Sequence, residues 1–412
     1  MSRYRFQLTI VFCSMLFSQP AISDDASTEL ARAVNQFGFE LYEDSRREPR
    51  GNFLISPLSI HTALSMAFIG AGGETRKQMV DVLEATSLRT ELGPQMRTLM
   101  DAIDAGSTDA YKLDVANHIW VQLGFPVLPS YQQDVTEYFR AGAANLDFTA
   151  PGAEETINEW VEDATRGKIA KLFDQLDPAT QLVIANAVYF LGDWVKPFKA
   201  PSGRRPRDDF HISPSETIQV DMMSHDGPQL FSYTENREVQ VVEMPYRAEN
   251  EPEISMVVVL PRKLDGLAQM ERKLSGKWLR KLTDDLEEEL VSIRMPRFMQ
   301  RTRLDLNPIL IQMGMDRAFT DSAEFPGISA PDEHPVKISK VVHEAYIRVD
   351  EEGTEAAAVT GVAMVTLTAG RAPPPHKVFH ADHPFMFFIR HSDTGAILFM
   401  GRVMAPPKAG SE

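Results

Sequence analysis

The chain has 412 residues, of which 43% are hydrophobic, and its formal net charge at pH 7 is −16. This apolar share can bury a large core and excludes an intrinsically disordered chain. The length exceeds that of a typical single hydrophobic core. The acidic balance lacks the basic stripe with which proteins follow a nucleic-acid backbone, so no nucleic acid is expected as a partner.

The first residues have the pattern of a secretory signal peptide. Arg3 and Arg5 precede the apolar run LTIVFCSMLF, and small residues follow up to Ser23. The alternative is a membrane anchor, but the run is too short to span a bilayer, so no membrane partner is expected. We therefore predict that residues 1–23 are removed near Ser23 and that the mature protein is secreted or periplasmic.

The sole cysteine, Cys13, lies inside this predicted signal peptide. The mature protein is thus predicted to have neither disulfides nor thiol chemistry, although it is exported. No linker rich in proline and glycine divides the remainder of the sequence. Residues 24–412 are therefore predicted to form a single domain.

Helical patterns come first along the chain. Apolar residues at helical spacing predict a helix over 28–44. Ser56 suits the N-cap of a second helix, Pro57 suits its first position, and Gly70 follows its end. Further helices are predicted around 157–164 and over 304–315.

Strand patterns dominate the second half of the chain. The run 181–191 is almost continuously apolar, as in a strand that is buried on both faces. Apolar residues on either side of the turn 392–395 predict a hairpin. Other strands are predicted over 111–121, 256–261 and 291–298. The segregation of helices and strands predicts an α+β fold.

Motifs of common enzymes are absent from the sequence. There is neither a G-x-S-x-G nucleophile elbow nor a G-x-x-x-x-G-K phosphate loop. His343 and Glu344 begin like a zinc-binding helix, but Ile347 occupies the position of the second histidine. No enzymatic activity, metal or other cofactor is therefore expected. Three histidines are predicted to lie in a loop and at a strand edge: His376, His380 and His383. The acidic run 287–289 is predicted to be a solvated helix face.

Four polar residues lie in segments that should be buried, which is unfavourable unless they are hydrogen-bonded. They are Ser56, Ser59, Asn186 and His343. Two interpretations are open. The four are separately satisfied core residues, or they form one hydrogen-bonded cluster that ties the start of a helix to two strands.

The segment 351–375, EEGTEAAAVTGVAMVTLTAGRAPPP, has no fixed state by pattern. Its alanines favour helix, and its valines and threonines favour strand. Neither a helical stripe nor a clean alternation runs through it. A structureless segment of this length in a compact domain is expected to be functional.

Eight motifs, in order across residues 28–405, resemble those of the serpin family. They are SPLSIHTALSMAFIGAGGET, LDVANHIWVQ, INEWVEDATRGKIAKLF, LVIANAVYFLGDWVKPF, VVEMPYRA, MGMDRAF, ISKVVHEAYIRVDEEGTEAAAVT and HADHPFMFFIRHSDTGAILFMGRV. The resemblance implies the serpin fold, an α+β fold of about nine helices and three β-sheets. It also implies an exposed reactive-centre loop at about 351–377.

The same resemblance implies a function. The protein is expected to be a suicide-substrate inhibitor of serine proteases, which traps the acyl-enzyme when its cleaved loop inserts into the central sheet. The expected partner is therefore the target serine protease, held in a covalent acyl complex. The alternative within the family is a non-inhibitory binding or carrier protein.

By this resemblance the first part of the loop is the hinge, and its composition suits insertion between strands. Gly353 provides a pivot. No proline interrupts residues 351–372, so every N–H group is available for a ladder. Small residues alternate along one face from Thr354 to Thr360. The hinge comprises Glu351, Glu352, Gly353, Thr354, Glu355, Ala356, Ala357, Ala358, Val359 and Thr360.

The usual loop length of the family places the reactive bond between Leu367 and Thr368. Leu367 suits chymotrypsin-like, elastase-like and subtilisin-like proteases. Met364 is an alternative with similar targets, whereas cleavage after Arg371 would indicate a trypsin-like target. All three stay open because the loop looks a few residues longer than in many serpins.

The resemblance also gives roles to the polar residues. Ser56, Ser59, Asn186 and His343 resemble the shutter, a polar cluster beneath the central sheet. Trp194 resembles the tryptophan at the breach, where insertion begins. A monomer is expected. No basic helix of the kind that binds heparin is evident, so no heparin cofactor is expected.

Overall fold

The structure, a computed structural model, describes most of the chain from residue 24 to residue 408. The described ranges are 24–46, 51–88, 91–105, 111–199, 207–248, 253–329, 336–354 and 375–408. They contain nine α-helices: α1 Asp24–Ser45, α2 Pro57–Gly70, α3 Gly73–Val82, α4 Leu92–Ala105, α5 Pro129–Phe139, α6 Ala153–Ala164, α7 Leu267–Glu271, α8 Gly276–Asp284 and α9 Asn307–Gln312. None of the helices in these ranges combines the length and the apolar composition that crossing a bilayer requires.

Sixteen strands occur in the same ranges, and they form two hydrogen-bonded sheets. They are β1 Phe53–Ile55, β2 Tyr111–Gln122, β3 Gly142–Leu146, β4 Leu182–Asp193, β5 Arg207–Ser213, β6 Glu216–Ser224, β7 Gln229–Glu235, β8 Val239–Pro245, β9 Ile254–Pro261, β10 Glu287–Pro296, β11 Phe298–Asp305, β12 Lys340–Val349, β13 Gly353–Thr354, β14 Lys377–His380, β15 Phe385–His391 and β16 Ile397–Val403.

The six-stranded sheet has the order β11-β12-β13-β4-β2-β3. Its strands β12 and β4 are parallel, and they pair directly from Lys340 with Val183 to Tyr346 with Tyr189. Beyond this point the two-residue strand β13 lies between them, antiparallel to both. The sheet is therefore closed at its centre and open by one strand position at one end.

Strand β4 is buried along nearly its whole length because both faces of the sheet are covered. On the inner face, Val188 and Phe190 belong to the main hydrophobic core, which also contains most of the apolar side chains of α2. On the outer face, Tyr189 belongs to a second core with Ile157 and Val161 of α6. A strand in this position needs the nearly continuous apolar run that the sequence provides.

The ten-stranded sheet has the order β1-β16-β15-β9-β8-β7-β10-β6-β5, with β14 paired to β10. The long strand β10 pairs with β7 through its first half and with β6 through its last residues. The family resemblance implies three sheets. Because β10 pairs with both β7 and β6, the described strands instead form two hydrogen-bonded sheets. The predicted α+β class is confirmed.

Two predicted elements differ from the structure. The acidic run 287–289 opens β10 instead of forming a helix face, and it pairs with β7. The helix predicted over 304–315 is shorter, because β11 continues to Asp305 and α9 follows it. Buried and exposed residues alternate along β11, but the buried ones include the polar residues Gln300 and Thr302. The sequence therefore shows no alternation of apolar and polar residues there.

Candidate functional site

Three strands bring polar side chains side by side at the closed centre of the six-stranded sheet. His343 of β12 lies directly opposite Asn186 of β4, and Asn186 lies opposite Asn117 of β2. The first turn of α2 lies beneath them, where Ser56 is the N-cap and accepts a hydrogen bond from the N–H of Ser59 at 3.2 Å. All five side chains are buried.

Hydrogen bonds connect these residues into one network. The N–H of Ser56 donates to Nε2 of His343 at 3.3 Å, so the other ring nitrogen carries the proton and donates to Oδ1 of Asn186. The Nδ2 group of Asn186 donates to the hydroxyl and the carbonyl oxygen of Ser59 and to Oδ1 of Asn117. These bonds give both nitrogens of His343, both ends of the Asn186 amide and the oxygens of Ser56, Ser59 and Asn117 a partner away from water.

The structure thus brings together Ser56, Ser59, Asn186 and His343 in one cluster, which was one of the two interpretations open from the sequence. It adds Asn117, which sequence reasoning missed. The signal was available, because Asn117 is an amide within the apolar strand of LDVANHIWV. The function of this shutter cluster in loop insertion stays a prediction.

We expect the shutter cluster to make stability depend on pH. Burial lowers the pKa of His343 from 6.5 to about 3, so the folded protein holds the ring neutral. The stabilisation is complete above pH 6.5. It declines as the pH falls towards 3, by about 1.4 kcal/mol for each pH unit, because the unfolded chain binds the proton first.

The measurement is the free energy of unfolding in urea at pH 7, 6 and 5 for the wild type and for His343→Gln. The variant should be less stable at pH 7, and the difference should shrink as the pH falls. His211→Gln, a half-buried histidine on β5, serves as the control. Parallel pH profiles for the wild type and His343→Gln would contradict the assignment.

The second part of the site is the open end of the sheet, where the hinge enters. Gly353 pairs with Asp193 and Thr354 with Gly192 on one side, while Thr354 pairs with Val349 on the other. Thr354 is completely buried. Two residues of the predicted reactive-centre loop therefore already form a strand between β12 and β4.

Only glycine fits at the point where this strand enters. A Cβ atom on Gly353 would lie 2.0 Å from the carbonyl oxygen of Gly192 and 2.7 Å from Cα of Asp193. Both neighbours are backbone atoms, which cannot turn away as a flexible side chain does. The glycine that the sequence offered as a pivot is thus required for close backbone approach.

Trp194 packs against the same entry point. Its side chain is 1% exposed, and its ring stacks on that of Tyr246 with centroids 4.4 Å apart. Its indole N–H donates to the carbonyl oxygen of Asp350 at 3.1 Å, and its backbone N–H donates to that of Glu352 at 2.8 Å. Trp194 therefore binds the backbone on both sides of Glu351, where the hinge begins.

Charged residues hold the chain just before the inserted strand. Glu351 is 7% exposed, and its carboxylate lies 3.1 Å from Nε of Arg297. Asp350 lies 3.7 Å from the same guanidinium. Burial raises the pKa of Glu352 above its usual value, and neighbouring Asp350 adds to the effect. The positive charge of Arg297 thus offsets the repulsion among the neighbouring carboxylates of this turn.

The remaining hinge and reactive-bond residues lie outside the described residues. Their predicted roles are therefore still predictions. They are Glu355, Ala356, Ala357, Ala358, Val359 and Thr360 of the hinge, Leu367 and Thr368 at the predicted reactive bond, and the alternatives Met364 and Arg371.

Replacing Gly353 by alanine should expel the hinge from the sheet, because the added methyl group overlaps the backbone of Gly192. We expect a loss of about 1–3 kcal/mol in stability. We also expect faster amide hydrogen exchange at residues 350–354. Gly227→Ala is the matched control, since a Cβ atom there meets nothing within 4 Å. Unchanged exchange in Gly353→Ala would contradict the packing described above.

Comparison with known proteins gives a consistent result over most of the chain. The family model described as Serpin (serine protease inhibitor) matches residues 32–406. An uncharacterized serpin-like protein of Thermococcus kodakarensis is 37% identical, over 92% of this chain and 86% of its own. A leukocyte elastase inhibitor of Xenopus tropicalis is 34% identical, over 92% of this chain and 99% of its own.

Solved structures are similar as well. Serpin48 of the insect Tenebrio molitor, described as a highly specific serpin, has a TM-score of 0.81 at 32% identity, covering 92% of this chain and 98% of that one. A thyroxine-binding globulin in complex with thyroxine also has a TM-score of 0.81, at 27% identity, covering 92% and 100%. The predicted fold is confirmed by these neighbours.

Proposed function

The chain belongs to the serpin family, and we propose that it is a suicide-substrate inhibitor of serine proteases. One observation carries the proposal. The strand Gly353–Thr354 already occupies the position between β12 and β4 that an inserted loop would fill. The relatives and the fold support the same class of function, and no catalytic activity of its own is proposed for the chain.

The register of β13 is compatible with full insertion of the loop. Continued antiparallel to both neighbours, it would place Ala357 between Tyr189 and Tyr346, and Thr360 between Asn186 and His343. These are pairs that lie directly opposite each other in the closed sheet. Insertion would therefore replace each direct β12–β4 pairing by two pairings to the new strand, without shifting either old strand along its length.

The side chains of the hinge suit this register. Positions opposite Phe190 and Val188 face the main core, and they would receive Ala356 and Ala358. Alanine adds little volume there, so the core beneath the sheet need not accept a large side chain. Thr360 would bring its hydroxyl to the shutter cluster, where polar partners are available.

The proposed chemistry begins as ordinary proteolysis. The protease serine attacks the carbonyl carbon of the reactive-bond residue, the amide bond breaks, and the new amine leaves as an ester forms. The freed loop then inserts and carries the tethered protease along. About fifteen inserted residues at roughly 3.3 Å each cover about 50 Å. Distortion of the displaced protease prevents water from completing the deacylation.

This mechanism requires a native state that is kinetically trapped, because the energy of insertion must be released only after cleavage. The direct pairing of β12 with β4 across the shutter cluster supplies a barrier of this kind. The protein is consumed with its target and does not turn over.

We infer the target class from the reactive bond. Cleavage between Leu367 and Thr368 or after Met364 would suit chymotrypsin-like, elastase-like or subtilisin-like proteases, and the relative named leukocyte elastase inhibitor is consistent with this group. Arg371 would suit a trypsin-like target. Secretion after cleavage near Ser23, and action as a monomer, are part of the same proposal.

The test is to mix the mature protein with chymotrypsin, elastase, subtilisin and trypsin, and to run denaturing gels. A band at the summed mass that survives denaturation is expected for at least one protease. Mass spectrometry of the released C-terminal peptide then identifies the bond, with Thr368 expected as its first residue. Complete cleavage by all four proteases without such a band would count against inhibition.

Thr354→Arg should convert the inhibitor into a substrate. Thr354 is completely buried, and a guanidinium cannot enter that position without a partner. We expect at least a tenfold loss of the covalent band, with full cleavage of the loop. Thr217→Arg, the same change at an exposed position of β6, should trap the protease as the wild type does. Unchanged trapping by Thr354→Arg would remove the basis of the insertion mechanism.

A carrier function is the second candidate, and a groove of about 670 Å³ favours it. The groove lies between α1, α8 and the turn from β15 to β16, and Arg32, Lys277 and Arg280 are among its lining residues. Acidic side chains line the groove as well, so an organic anion with an apolar body would have to bind at these three basic residues. Binding of a fluorescent naphthalene sulfonate that is lost in Arg280→Ala, together with failure to trap any protease, would favour the carrier.

A further inference from the structure

We propose that Tyr246 is a positioning residue that holds the hinge in the insertion register before any protease arrives. This inference rests on the proposed inhibitory function. Tyr246 was not among the residues indicated by the sequence. It follows the end of β8, and it therefore connects the ten-stranded sheet to the entry point of the six-stranded one.

The ring of Tyr246 is fixed on all sides. It is fully buried, stacked on Trp194 and 4.9 Å from the ring of Phe190 in an edge-on arrangement. Its backbone N–H donates to the carbonyl oxygen of Ile254 at 2.9 Å. Gly192 leaves the space for the ring, since a Cβ atom there would lie 2.8 Å from it. The hydroxyl therefore has one well-defined position.

That hydroxyl lies 2.6 Å from the hydroxyl of Thr354. Both groups are completely buried, so neither can exchange this partner for bulk water. A buried hydroxyl left without a partner is costly. The pair thus favours the arrangement in which Thr354 is inserted over one in which the hinge has left the sheet.

The direction of the effect follows from the register. In the proposed insertion the strand continues the register of β13, so Thr354 stays where it is while the strand lengthens beyond it. The bond to Tyr246 is therefore present before and after insertion, and it does not oppose the movement. It holds the first residues of the new strand in order, which removes part of the entropic cost of starting a strand. Insertion should then compete better with deacylation.

The test measures the ratio of cleaved inhibitor to trapped complex for each variant. It uses the protease that forms the covalent band with the wild type. Tyr246→Phe removes the oxygen and keeps the stacked ring. We expect the ratio of cleaved inhibitor to complex to rise about fivefold, the rate equivalent of one buried hydrogen bond. Tyr131→Phe is the matched control, because it removes a fully buried hydroxyl that donates to the carbonyl oxygen of Met66 on α2.

The same bond can be removed from its other end. Thr354→Val keeps the shape of the side chain and should raise the ratio as Tyr246→Phe does, whereas Thr354→Ser keeps the hydroxyl and should restore the wild-type ratio. The double variant Tyr246→Phe with Thr354→Val should equal either single variant, because all three lack one bond. Additive effects would overturn the pairing.

Amide hydrogen exchange separates a local role from a general loss of stability. In Tyr246→Phe, residues 350–354 should exchange faster while β16 stays as protected as in the wild type. If the wild type traps no protease, the proposed function fails, and the exchange result alone tests whether the hydrogen bond between Tyr246 and Thr354 holds the hinge. If the wild type traps protease and Tyr246→Phe leaves the ratio unchanged or lowers it, the role of Tyr246 is wrong and the inhibitory function stands.

Discussion

The direct pairing between β12 and β4 is the interaction on which the rest of the site depends. These strands are buried, so parting them would leave backbone N–H and C=O groups without partners, which proteins rarely tolerate. The two strands are separated only where another strand, β13, pairs with both of them. At that end Gly353 and Thr354 supply the missing partners, and below it the two strands satisfy each other. In the proposed inhibitor, loop insertion thus replaces the hydrogen bonds between β12 and β4 by hydrogen bonds from the inserted strand to each of them.

The polar row at the centre of the sheet fits such an exchange. If only apolar side chains met between β12 and β4, they would be closely packed, and an inserted strand would have to match their shape closely. The side chains of His343, Asn186 and Asn117 instead meet through hydrogen bonds. In the proposed insertion, their donors and acceptors could bond to the hydroxyl of Thr360 instead of to each other. Such a network must be fully satisfied in each state, because an unpaired buried imidazole or amide is costly. This explains why the groups are several and why Ser56 and Ser59 support them from below.

Local signals carried much of the fold and part of the site. The N-cap and first proline of α2, the apolar run of β4 and the hairpin of β15 and β16 were predicted because each depends on neighbouring residues. Residues that act through distant partners were missed. A two-residue strand such as β13 has no periodicity, and Tyr246 meets Thr354 across 108 positions of sequence. The acidic start of β10 was assigned to a helix, since a strand at a sheet margin tolerates charge as a helix surface does.

The two separate cores determine where an opening sheet must repack. On the outer face, the rings of Tyr189 and Tyr346 lie 6.1 Å apart across the seam, and an inserted strand would separate β4 from β12 by about 4.8 Å more. These rings belong to the smaller core under α6, which shares none of its buried residues with the main one. In the proposed inhibitor, the inner face of the seam would receive only alanine and threonine side chains between Thr354 and Thr360, and the larger Val362 and Met364 only at the far end of the inserted strand. Along the stretch from Thr354 to Thr360, the larger rearrangement would therefore fall on the outer layer, where α6 packs on β2.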